Sequence, residues 1–178
     1  MNRIIWVYGS IAGAIVIGII IGSMLLFGAE SAMAGSAWLG YLIMIISLSL
    51  IFFGVKNYRD EELGGVIGFG KAFLVGLGIA AVAGLVYTGI WEIYLQASGH
   101  NFIDTYVEIQ MEQLRESGAT GETIAMEQEK MEQFSEMYQN PLFRLAITFM
   151  EIFPVGLIIA LISAALLRKS EFLPAGPS

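Results

Sequence analysis

Two carboxylates stand where water is scarce. Glu92 interrupts the apolar stretch 72–96, and Glu151 lies inside the apolar stretch 142–167, nine residues past Leu142. Nine residues of helix correspond to about 13 Å at 1.5 Å each. An acidic side chain at such depth in a membrane is costly and marks a candidate functional group, for example in a proton or ion pathway. Arg144 precedes Glu151 by seven residues, two helical turns, on a similar face. It supplies the plainer reading, a structural ion pair with no transport role. Glu92 is one turn before Gln96, so it belongs near the outer interface, where it could face Glu151 or meet Arg144. Pro154, three residues after Glu151, removes a backbone donor and loosens the helix, which favours the functional reading.

Other chemistry has little to work with. There are no cysteines and one histidine, His100, so thiol catalysis, thiolate metal sites and a serine–histidine system lack their parts. The expectation is a chain that is not an enzyme and holds no metal or cofactor. Gly65 to Lys71 fits the first part of a phosphate-binding loop, G-x4-G-K. Ala72 follows, where such a loop needs Ser or Thr, and no strand pattern precedes it. These glycines are better read as a sharp bend where a helix enters the membrane. Met111, Met126, Met131 and Met137 could form a soft-ion surface, but packing of an amphipathic helix pair explains them more simply.

The elements that must position these residues are apolar. Hydrophobic residues make up 56% of the 178 and charged residues 14%, against about 25% charged in an average globular chain. The apolar excess falls in four blocks, 4–27, 38–55, 72–96 and 142–167. Each approaches the roughly 20 residues needed to cross a hydrocarbon core, and lipid offers no backbone partners, so each is expected to be a helix. Asn140 followed by Pro141 is a suitable opening for the last one. The predicted fold is all-α: one membrane domain, 1–178, a four-helix bundle with an extramembrane helical hairpin between spans three and four. A cleaved signal peptide is the rival reading of the first block, with Ala32-Met33-Ala34 as the cleavage site. The apolar run is too long for it, and Glu30 intrudes.

Basic residues of the short loops set orientation. Arg3, Lys56, Arg59, Lys71, Arg168 and Lys169 fall on one side of a four-span count. Both termini and the 56–71 loop are therefore expected in the cytoplasm, and 98–140 outside. Tyr41, Tyr87, Trp91 and Tyr94 would line the outer interface, Trp6 and Tyr8 the inner one. Span one carries Gly9, Gly13, Ala14, Gly18 and Gly22, and span three carries Gly76, Ala80 and Gly84. Small residues at intervals of four let backbones approach, so spans one and three are expected to pack through these faces. The same faces would equally serve a homodimer.

The net charge of −7 is concentrated in the segment 103–139. There Ile103, Tyr106, Val107, Gln110, Met111 and Leu114 recur at near-helical intervals, and Ile124, Met131, Phe134 and Tyr138 form a second stripe. Ser117 to Gly121 reads as the turn between them, with Thr120 as an N-cap. The acidic faces are solvated faces, or a contact surface for a protein partner. Nine Lys and Arg without aromatic interleaving exclude a nucleic-acid partner; the lipid bilayer is the expected one.

Phe53 to Asp60 with Lys56, Tyr58, Arg59 and Asp60, then Gly64-Gly65, then Phe69-Gly70-Lys71-Ala72-Phe73 and Gly76, form the most specific block of a resemblance. Asn140-Pro141, Glu151, Phe153 to Gly156 and Leu167-Arg168-Lys169 extend it. The chain resembles the domain-of-unknown-function family 4199, found mainly in Bacteroidetes. The resemblance implies a four-span inner-membrane protein and brings no mechanism. It draws attention to the 56–71 loop, in which Lys56, Arg59 and Lys71 would anchor at anionic headgroups while Asp60, Glu61 and Glu62 pair with them. Two functions compete: a structural or partner-binding membrane protein, which is preferred, and a small transporter or proton-coupled carrier using Glu151 and Glu92.

Overall fold

The computed structural model describes residues 1–28, 37–98, 102–169 and 172–174. Glu30, the Ala32-Met33-Ala34 site and His100 lie outside the described residues. The described residues are all-helical. In chain order they form α1 (Asn2–Phe27), α2 (Ala37–Leu48), α3 (Leu50–Asn57), a π-helical turn (Tyr58–Glu62), α4 (Phe69–Ala97), α5 (Phe102–Glu116), α6 (Gly121–Gln139) and α7 (Pro141–Leu167). Ser49 joins α2 to α3 without breaking the apolar run; its hydroxyl donates back to the Ile46 carbonyl at 2.6 Å. Four helices are long and apolar enough to cross a membrane: Asn2–Phe27, Trp38–Glu62, Phe69–Ala97 and Pro141–Leu167. The chain is a multi-pass membrane protein.

The second span does not end at residue 55. Helix continues through Lys56 to Glu62, so Lys56, Tyr58, Arg59 and Asp60 belong to the helix end and not to a loop. The continuation has a local cause, the i to i+4 pair of Lys56 Nζ with Asp60 Oδ2 at 2.5 Å. The reversal comes after it, at Gly64 and Gly65 with φ of 65° and 90°, values that glycine adopts without strain. The following helix starts at Phe69, slightly ahead of the expected residue 72.

α4 sits at the centre, packed on α1 and on α7, while the second span packs on α1, α4 and α7. The small-residue faces act, but not as the sequence suggested. A Cβ at Gly9 would lie 2.6 Å from the Val82 Cβ, and one at Gly13 would strike the Ala83 carbonyl. Spans one and three therefore do pack closely, through Gly9 and Gly13 on α1. The face of α4 they meet carries Ile79, Val82 and Ala83. The face carrying Gly76, Ala80 and Gly84 packs instead on α7: a Cβ at Gly76 would meet Ala160 at 2.9 Å, one at Gly156 would meet Ala80 at 2.8 Å, and one at Gly84 the Phe149 ring at 2.6 Å. A helix with glycine or alanine on two faces can seat two neighbours, and α4 has two. Gly18 and Gly22 meet nothing within 4 Å, and Ala14 is exposed.

The antiparallel α4–α7 seam keeps one register, with four residues forward on α4 matching four back on α7. Gly76 with Ala160 and Ala80 with Gly156 set it. Continued towards the end of α4, the same register reaches buried Thr88 and Thr148, and then Glu92 and Arg144.

The termini of α1 and α7, the π-helical turn and the start of α4 gather at one end of the bundle. There Arg3, Ile4 and Tyr8 share a cleft with Asn57, Glu61 and Glu62, and Lys71 Nζ stands 5.7 Å above the Tyr58 ring. At the distal end lie α5 and α6, joined by a short turn. Thr120 caps α6, accepting from the Thr123 N–H at 3.3 Å, and Asn140 Oδ1 caps α7, accepting from the Leu142 N–H at 3.0 Å. Ile103, Met111 and Tyr138 turn inward from this pair, while Asp104, Glu108 and Glu112 face out.

Candidate functional site

Arg144 is placed by its own cap. Asn140 and Pro141 start α7 directly after α6, so the first turn of α7 carries a guanidinium into the junction of α4, α6 and α7. It is only 5% exposed. Its Nε donates to Glu92 Oε2 at 2.8 Å, its Nη2 donates to Glu92 Oε1, and its Nη1 donates to the Tyr138 carbonyl at 3.1 Å. The fork thus grips a carboxylate bidentately and ties α6 to both spans, which Lys could not do. The Tyr138 ring lies 5.8 Å from the guanidinium, and its hydroxyl accepts from the Trp91 indole N–H at 2.9 Å. Burial pushes the Tyr138 phenol above its ordinary range, so it stays a neutral hydroxyl in this network.

Of the three intramembrane polar residues, Glu92 and Arg144 come together. Glu151 does not join them. Its Oε2 accepts from the Tyr87 hydroxyl at 3.2 Å, and the carboxylate lines a cavity of about 430 Å³. The reason is angular: seven residues bring Glu151 only near the Arg144 face, and the seam register spends Arg144 on Glu92. The cavity is walled by α4, α5, α6 and α7, through Tyr87, Trp91, Phe102, Phe134 and Tyr138 among others. Trp91 meets Phe102 edge-on at 4.7 Å, and Phe134 lies 5.8 Å from Tyr138. Tyr87 and Trp91 are buried bundle residues, 4% and 6% exposed. Pro154 deprives the Met150 carbonyl of its intrahelical donor, and Met150 also lines the cavity. Next to Tyr87, the Thr88 hydroxyl is buried with no hydrogen-bond partner.

The charges at the other end of the bundle behave differently from the expectation. Arg59 is fully buried and cannot anchor at headgroups. Its Nε donates to Asp60 Oδ1 at 2.6 Å, its Nη1 to the Phe172 carbonyl at 2.9 Å, and its Nη2 to the Leu173 carbonyl. It pins the segment that follows α7. Lys71 is exposed, and Gly70 lies on the open side of the first turn of α4. The four methionines differ in burial: Met111 is buried, while Met126 and Met137 are about half exposed, at 51% and 48%. Among the described residues, no three of His, Cys, Asp or Glu come together as a metal set.

Sequence reading missed the aromatic wall. Its members, from Tyr87 to Tyr138, lie on three helices, and only a fold brings them together. The one local signal was Trp91 beside Glu92.

A family model described as a protein of unknown function, DUF4199, matches residues 7–169. No curated protein and no solved structure matches the chain. The chain belongs to the DUF4199 family.

Proposed function

DUF4199 membership brings no activity with it, and we propose that this chain is a non-enzymatic, partner- or ligand-binding protein of a bacterial inner membrane. Four tightly seamed spans hold the cavity beside Glu151 open at the outer face. The orientation rests on Arg3, Lys56, Lys71, Arg168 and Lys169, whose positions at the terminal end of the bundle support cytoplasmic termini. The exposed acidic faces of α5 and α6 then form the outer contact surface for a protein partner, and the open Ala14, Gly18 and Gly22 face of α1 suits a second copy of the chain.

One observation carries the binding reading over the carrier reading. Directly below the cavity the α4–α7 seam closes at Gly84 against Phe149, then at Ala80 against Gly156 and Gly76 against Ala160. Backbones packed this closely close the path between α4 and α7 from Glu151 towards the terminal end.

The carrier reading has one observation of its own. Glu151 faces a cavity instead of pairing with Arg144, and Pro154 lies one turn away. Proteoliposomes with an internal pH dye separate the two. Under an imposed pH gradient the binding reading expects the same leak for the native chain and for Glu151→Gln. A flux that Glu151→Gln abolishes, in a protein that still melts normally, establishes the carrier instead.

A further inference from the structure

We infer that the cavity takes an organic cation, a substituted ammonium with an apolar body. This rests on the reading of the cavity as a binding site and adds the chemistry of its occupant. Three features of the walls point to it.

The first is charge. Arg144 and Glu92 neutralise one another, and among the described residues Glu151 has no cation partner; its neighbour is the neutral Tyr87 hydroxyl. Glu151 is therefore an acidic group on the cavity wall with no protein cation against it among the described residues. The second is the wall chemistry. Aromatic rings present negative π faces, which attract ammonium groups, more strongly when water is excluded. Tyr87, Trp91, Phe102, Tyr106, Phe134 and Tyr138 all line this space. A neutral apolar ligand would be served as well by Leu and Ile, and an anion would meet only repulsion. The third is size. At about 430 Å³ the cavity lies in the range of roughly 300–1,000 Å³ typical of small-molecule sites, far larger than an inorganic cation needs. Among the described residues, no second carboxylate lines it to complete an oxygen shell for a metal ion.

The probe is phenyltrimethylammonium, compared with its neutral isostere tert-butylbenzene. With Trp6→Phe and Trp38→Phe, both exposed on α1 and α2, Trp91 is the only remaining indole and reports from the cavity wall. In phosphatidylglycerol nanodiscs the cation is expected to shift Trp91 emission saturably and to bind at least tenfold tighter than the isostere. Glu151→Gln is expected to lose at least tenfold in cation affinity and leave the isostere unchanged. Nanodiscs containing phosphatidylethanolamine separate the natural sources: competition by that lipid identifies a lipid headgroup as the ammonium, and undiminished probe binding identifies a free solute. Equal binding of cation and isostere overturns the cation inference while the binding site stands. Should neither ligand move Trp91 emission, both the inference and the binding reading fall. The isostere comparison uses the native Glu151, so it decides the matter even if Glu151→Gln folds poorly.

Discussion

Arg144 makes three hydrogen bonds to Glu92 and Tyr138 while 5% exposed, so its removal takes the ion-pair partner from a partly buried carboxylate that also accepts from the Gln96 amide at 3.4 Å. Breaking one side of a buried pair costs on the order of 3 kcal/mol, whereas replacing both by apolar residues of similar shape is often close to neutral. Arg144→Met and Glu92→Gln are each expected to lower the melting temperature in detergent sharply, and the Glu92→Leu/Arg144→Met double variant to recover most of the loss. A double variant no better than the singles would mean that the pair does more than hold the helices. Thr88 gives the opposite sign. Its buried hydroxyl has no partner, so the near-isosteric Thr88→Val is expected to stabilise by about 1 kcal/mol in thermal unfolding. Destabilisation would place a partner on that hydroxyl. At this scale the sequence exposed the right residue types but not their pairings. Spacing put Arg144 within reach of both carboxylates, and only the α4–α7 register decided for Glu92.

Between helices the small residues do the positioning, because apolar surface alone gives little reason for helices to associate in lipid. A Cβ at Gly13 would collide with backbone, the Ala83 carbonyl, whereas one at Gly18 would meet open space. Gly13→Ala is expected to cost about 1–3 kcal/mol by overpacking, and Gly18→Ala to fall within about 0.5 kcal/mol of the native chain, both by thermal unfolding in detergent. Equal effects would contradict this helix arrangement. The four apolar blocks were legible because length and composition fix a membrane helix almost alone. Their partners were not. Gly76, Ala80 and Gly84 announce a close neighbour without saying which, and they seat α7 where α1 was expected. The helical end of the second span was missed for a related reason: Lys56 to Glu62 is polar, and polarity reads as loop unless the Lys56–Asp60 pair and buried Arg59 are seen together.

For the molecule as a whole, the proposed binding function requires a cavity that communicates with one side of the membrane only, in keeping with the close α4–α7 seam. The chain contains no cysteine, so a single introduced thiol reports without background. Ile147 is 38% exposed and lines the cavity beside Glu151, so Ile147→Cys places that thiol in the wall. The measurement is its labelling by a membrane-impermeant thiosulfonate in right-side-out and inverted vesicles. Labelling only from the outer face, at the same rate with or without a pH gradient, is the predicted result. Labelling from both faces would contradict a one-sided binding cavity and return the chain to the carriers, and labelling from the inner face alone would overturn the orientation.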